Sequence, residues 1–306
     1  VYQNKIQRIR PRDNDEVNEC WLADEDRLNY GFVAGKNRLR TSLVAGVKTP
    51  AREALAAAVA RLQPLAGAGH DVAVVASAWS TNEELFLLAE LADALGVPAE
   101  RRYGRKHPDG RRWIGPAGFR IEADRNPNTE GLARFFGVTQ PSDDLAELTA
   151  AIDRGDVRHV LVFGHIANHT YSLEFTHAAQ RLSTLVLLDG AESELATRAH
   201  VALAGTVFFE KTGTVISRVT RGTAEHVEPE LRMQLVNPCV VEPEEARQDL
   251  ELLQRLSQAI RGERARPVRM REIFARLKER VEEFDGLTLD EVGEFGVRFE
   301  RKVVAS

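Results

Sequence analysis

Cysteine is nearly absent: of 306 residues only Cys20 and Cys239 carry thiols, separated by most of the chain. A disulfide framework is excluded in practice, and a reducing, cytoplasmic compartment is the simpler expectation. Two thiolates also fall short of the four that hold an iron-sulfur cluster, so any cluster would take ligands from outside this chain. Long apolar runs are missing too, none approaching the roughly 18 residues of a membrane span. The opening VYQNKIQRIRPRDNDEVNECW has neither an apolar signal core nor an initiator methionine, and a piece of a longer chain is expected. Neither sign of charge dominates: 41 basic and 46 acidic residues give a net charge of -5 and no footprint for nucleic acid or an anionic membrane. The local basic stretch RRYGRKHPDGRRW (101–113) reads as a solvated loop, with only Tyr103 and Trp113 interleaved as stacking groups. G-x-G-x-x-G, G-x-x-x-x-G-K-[ST] and G-x-S-x-G are all missing, so no fingerprint supports a Rossmann dehydrogenase, an NTPase or a serine hydrolase.

What is present is ordinary globular material, 43% hydrophobic and 28% charged, enough for about two domains of ~150 residues. Residues 1–45 read as an irregular, strand-rich segment anchored by Trp21, Tyr30 and Phe32. A helix is predicted from Thr49-Pro50, with Thr at the N-cap and Pro at the first helical position. Apolar runs predict strands over 71–77, 119–123, 157–164, 183–190 and 201–205. Amphipathic stretches predict helices over 80–96, opened by a Ser80–Glu83 capping box and ended by Gly96, and over 144–155. Short helices are expected at TEGLARFFG, SLEFTHAAQRL and ESELATRA, and a hairpin turn around Thr212-Gly213. This alternation is that of an α/β fold, a doubly wound, mostly parallel sheet with helices on both faces. Charged amphipathic helices over 242–262 and 268–284 are expected to pack outside it, so that 46–240 forms the α/β region and 241–306 a helical segment.

In open α/β sheets ligands meet the carboxyl ends of strands, which singles out three loops. Ser80, Thr81 and Asn82 stand at a helix N-terminus suited to an anion, or simply cap it. His165 and His169, with His159 and His177 nearby in sequence, have a spacing that could face a metal, although isolated histidines are the plainer reading. Asp189 could accept a hydrogen bond from a bound group or cap the next helix. Cys239, with no basic neighbour, reads as a buried, inert thiol.

Four stretches carry a resemblance. The first is VYQNKIQRIRPRDNDEVNECWLADEDRLNY, with Arg8, Pro11, Arg12, Asn14, Val17, Asn18, Trp21, Asp24, Arg27 and Tyr30 at matching positions; the others are STNEELFLLAELADALG, IEADRNPNTEGLARFFG and VALAGTVFFEKTGTVISRVTR. In order they resemble the C-terminal, molybdopterin-oxidoreductase-like part of the large iron-sulfur subunit of respiratory complex I. The closing FDGLTLDEVGEFG is similar to that family's C-terminal helices. The resemblance implies sheets of the molybdopterin-oxidoreductase type, with residues 1–45 as the remnant of a cluster-bearing domain. It departs where the family has its last cluster cysteine, here Ala23, and where it has glycine, here Asp26; alanine cannot ligate iron.

The implied role is a scaffold part of the peripheral arm of an NADH-quinone oxidoreductase, which as a whole passes electrons from NADH to quinone. On this reading the chain sits in the cytoplasm at the inner membrane, against other arm subunits, with no nucleic acid, no membrane span and no metal or cofactor of its own. Iron-sulfur clusters would belong to the upstream region. The alternative from the same superfamily is a formate-dehydrogenase-type enzyme, with Ser80, Thr81, Asn82, His165 and Asp189 lining a pterin; a small-ligand or nucleotide-binding α/β module is the third.

Overall fold

A computed structural model describes residues 1–18, 20–114, 120–219 and 230–299. The chain opens on an irregular segment with one helical turn, α1 (Asp24–Leu28), followed by a short antiparallel pair, β1 (Leu43–Val44) and β2 (Val47–Lys48). Next come α2 (Ala51–Leu62), β3 (Val72–Ser77), α3 (Asn82–Leu95) and β4 (Arg102–Arg105). β5 (Trp113–Ile114) and β6 (Arg120–Ile121) pair only with each other, so the strand expected over 119–123 stands outside the main sheet, and residue 119 lies outside the described residues. α4 (Thr129–Gly131) continues as a π-helical turn over Leu132–Phe136. The alternation then runs α5 (Ala146–Asp153), β7 (His159–Phe163), α6 (Leu173–Ala178), β8 (Thr184–Asp189), α7 (Glu194–Arg198) and β9 (Val201–Ala204). β10 (Gly213–Val219) and β11 (Glu230–Val236) precede α8 (Asp249–Ile260), α9 (Met270–Lys278), α10 (Leu289–Val292) and the closing β12 (Val297–Phe299).

The main sheet has seven strands in the order β2-β1-β9-β8-β7-β3-β4, and β9, β8, β7, β3 and β4 are parallel. Its central strands β3, β7, β8 and β9 are almost wholly apolar because both faces are covered, as in parallel sheets generally. Val72, Val74, Ala76, Leu161, Val186 and Leu203 face α2 and α3, whereas Ala73, Val75, Val160, Val162, Leu185 and Leu187 face α5, α6 and α7. α8 packs on α2 and α3, and α9 on α3, as an added layer. That is why α3 is buried nearly all round and its sequence, NEELFLLAELADAL, is apolar beyond one stripe. The β10-β11-β12 sheet is antiparallel and leans on α3 and α4.

Several local expectations are corrected. The capping box of α3 uses Thr81 and Glu84, one residue later than Ser80 and Glu83. The Thr49 hydroxyl bonds the Val47 carbonyl, and Pro50 takes the N-cap of α2. Thr212-Gly213 is no hairpin turn: Gly213 begins β10, and the connection from β10 to β11 lies outside the described residues. The basic stretch is not all loop, since residues 102–105 form edge strand β4. α8 starts at Asp249 rather than near 242, and the carboxylate of this first residue is buried. Among the described residues no helix is long and apolar enough to cross a membrane.

Candidate functional site

β4 lies on one side of β3 and β7 on the other, so the chain reverses direction across the sheet at β3. The loops after β3 and β7 therefore flank the switch point where ligands of open α/β sheets bind. Ser80, Thr81 and Asn82 follow β3, His165 follows β7, and Asp189 ends β8, so all five predicted residues do stand at the carboxyl edge.

They are enclosed there. Ser80, Thr81 and Asn82 are wholly buried. The Thr81 hydroxyl accepts from the Glu84 N–H at 3.3 Å, and the Glu84 carboxylate accepts from the Thr81 N–H at 2.9 Å. The Asn82 side chain donates to the Thr214 hydroxyl at 2.9 Å and accepts from Asn128 at 3.0 Å. Asn128 also donates to the Ser80 carbonyl at 2.7 Å and accepts from the Ile216 N–H at 2.8 Å. Glu83 accepts from both the N–H and the hydroxyl of Thr214, each at 2.8 Å. Burial pushes the Glu83 carboxyl up to about 7 even so, because those hydrogen bonds only partly replace water.

A second cluster follows β9. Lys211 Nζ stands 2.7 Å from Glu84 and 2.8 Å from Asp249, all three out of solvent. Burial raises the Glu84 carboxyl to about 7 against the pull of Lys211. Burial works to lower Lys211, but the two carboxylates outweigh it and hold the ammonium above its ordinary value. Beside it the buried Arg38 guanidinium donates to the carbonyls of Gly190 (2.6 Å) and Gly205 (2.8 Å) and to the Glu210 carboxylate (2.6 Å).

The third cluster surrounds Asp189, which accepts from His165 Nδ1 at 3.0 Å and from the Tyr171 hydroxyl at 2.7 Å. Burial pushes the Asp189 carboxyl up, but His165, Arg105 and Tyr171 together leave it below the usual carboxylate range. The Arg105 guanidinium lies 3.8 Å over the Tyr171 ring. Asp189 does not cap α7; Ser193 does, accepting from the Ala196 N–H, while Asp189 closes a turn onto the Ala191 N–H.

His165 and His169 are not on a helix but in the loop between β7 and α6. His165 turns to Asp189, and His169 Nε2 contacts the Asp143 carbonyl at 3.3 Å. Among the described residues no group of three potential metal ligands converges. Cys239 is exposed rather than buried; partial desolvation keeps its thiol above the ordinary value, which favours the unreactive form. Ala23 begins no metal site either: it stands at the N-cap of α1.

Arg38, Glu84, Tyr171, Lys211 and Asp249 were not singled out by sequence reasoning, and Arg105 was read as part of a solvated basic loop, whereas it is buried. Each is a charged or polar residue embedded in an otherwise unremarkable helix, strand or loop, and only the fold brings its partner within reach. One signal was available: STNEE, NPNTEG and EKTGT, which carry the resemblance, supply most of the interlocked groups. No protein-family model matches the chain, and no curated protein matches it at a significant level.

Proposed function

We propose that this chain is a scaffold part of the iron-sulfur subunit in the peripheral arm of an NADH-quinone oxidoreductase, performing no chemistry itself. The observation that carries the reading is the meeting of three motif stretches in one buried network. Thr81-Asn82-Glu83-Glu84, Asn126 and Asn128, and Glu210-Lys211-Thr214 bond one another or the loops between them. Asn126 ties the loops after β3 and β4 together, accepting from Trp79 Nε1 at 3.1 Å and from the His107 N–H at 2.8 Å. These residues explain themselves as the lock between the main sheet, α3 and β10, with their hydrogen-bonding capacity used internally.

The same enclosure disfavours a pterin at Ser80, Thr81, Asn82, His165 and Asp189. Among their side-chain atoms, only Ser80 Oγ and His165 Nε2 are buried without a partner, and both residues are closed off from solvent. A cofactor the size of a bis-pterin would have to open the network to reach them. The cluster ligands of the resembled family likewise do not fit here, with Ala23 at the signature position and both cysteines exposed.

The test is assembly. In a cell that makes the whole oxidoreductase, the subunit truncated before residue 46 is expected to keep its upstream clusters yet enter the peripheral arm poorly. Normal assembly of the truncated subunit, with loss of a separate redox activity, would overturn the reading.

A further inference from the structure

At the carboxyl edge, beside the closed network, lies an open cavity of about 620 Å³. Its aromatic wall is built from three loops: Trp79 after β3, His107 after β4, and Phe208 and Phe209 after β9. The Trp79 ring meets His107 edge-on at 5.6 Å and Phe208 edge-on at 5.8 Å. Its indole N–H is committed to Asn126, which fixes the plane of the ring. Phe209 is backed by Phe32 in a stack at 5.9 Å. The rings meet at steep angles, so the wall is a corner: Trp79, held by Asn126, offers one fixed flat face for a planar ligand, and Phe208 stands beside it.

The polar groups on the lining are chiefly acceptors. His107 Nε2 lies 2.7 Å from the Ala167 carbonyl, and a carbonyl cannot donate, so Nε2 carries the proton. Desolvation holds the ring below the ordinary histidine value, so it is neutral and Nδ1 is a bare acceptor. α1 contributes Glu25 and Asp26 to the same lining. Glu25 is occupied by an ion pair with Arg125, whereas Asp26 has no ion-pair partner among the described residues. Desolvation, then Glu25, raises the Asp26 carboxyl, and the nearby Arg125 only partly offsets them. Glu25 and Arg125 cancel, and the lining is left with the one negative charge of Asp26.

We propose that this cavity is a binding site for a planar aromatic cation with a donor edge, an amidine or a protonated amino-heterocycle, stacked on Trp79 and flanked by Phe208, with its donors on Asp26. A flat π-face attracts such a cation, and a carboxylate accepts its paired N–H groups in charge-assisted bonds. The site does not rest on the scaffold reading, although it borders the network, whose Asn126 holds Trp79 and His107.

Benzamidine and its neutral isostere benzamide test the site. Titrated into the whole chain and followed by calorimetry and by quenching of Trp79 fluorescence, benzamidine is expected to bind one per chain with a Kd below about 1 mM. Benzamide is expected to bind at least tenfold more weakly. Asp26→Asn, at a solvent-facing position and with an unchanged melting temperature as control, should bring benzamidine down to the level of benzamide. Trp79→Leu should abolish both the quenching and the heat. Equal binding of the two probes, full affinity in Asp26→Asn, or no saturation up to about 10 mM benzamidine would each overturn the proposal.

Discussion

The Lys211 ammonium lies 2.7 Å from the Glu84 carboxylate, and neither group reaches solvent. Asp249 completes the cluster from α8, so one cation holds together the start of α3, the segment before β10 and the start of α8. Taking such charges out of water is costly, and the attraction repays it only while every partner is present.

Lys211→Met therefore leaves two carboxylates buried together without a counter-charge. The expected loss of stability is about 3–5 kcal/mol, read from the urea midpoint. Adding Glu84→Gln and Asp249→Asn to the same variant should restore much of it, because an uncharged cluster no longer carries an unpaired ion. A single variant as stable as the parent would show that the cluster bears no load.

Much of the architecture was legible in the sequence, for physical reasons that differ between elements. VAVVAS, HVLVF and TLVLLD are strands because runs of apolar residues with both faces covered have no other stable use. β4 was hidden because Arg102 and Arg105 look solvated, yet Arg105 is buried against the Tyr171 ring and Arg102 pairs with Asp93. The cap of α3 was misplaced by one residue because Ser80-x-x-Glu83 and Thr81-x-x-Glu84 are both capping-box patterns; tertiary structure decides, since Thr214 of β10 claims Glu83. At the carboxyl edge, position could be inferred but enclosure could not. Whether Asn82 is open to a ligand depends on Asn128 and Thr214, 46 and 132 residues away.

Glu83 makes stability depend on pH. Its carboxyl ordinarily titrates near 4.5 and in the fold is raised to about 7. Between those values the folded chain keeps a proton that the unfolded chain has released, so stability is greatest below about 4.5 from this group and falls as pH rises through 7. A shift of this size corresponds to about 3 kcal/mol at most. Glu84, raised in the same direction, adds to the slope. Glu83→Gln, which keeps an acceptor for the Thr214 N–H, is expected to flatten the decline between pH 5 and 7 measured by chemical denaturation. An unchanged slope would mean that Glu83 is ionised in the fold throughout.

Gly131→Ala sets two effects against each other. Alanine is favoured over glycine inside a helix by about 1 kcal/mol. A Cβ at 131, however, would stand 2.2 Å from Asn82 Oδ1 and 2.3 Å from Asn128 Oδ1, both buried and hydrogen-bonded. Moving either amide breaks the lock between α3 and β10, which outweighs the helical gain. A net loss of about 2–4 kcal/mol is expected, with a lower thermal midpoint. A stabilised variant would contradict the close packing at Asn82.

The most direct measurement is of metal content. The protein in its full native length, purified without oxygen, is to be analysed by mass spectrometry for iron, molybdenum and tungsten. Iron with neither of the other two is the result expected of a scaffold attached to cluster domains. Molybdenum or tungsten near one per chain would contradict it, and would mean that the network around Asn82 and His165 opens to admit a cofactor.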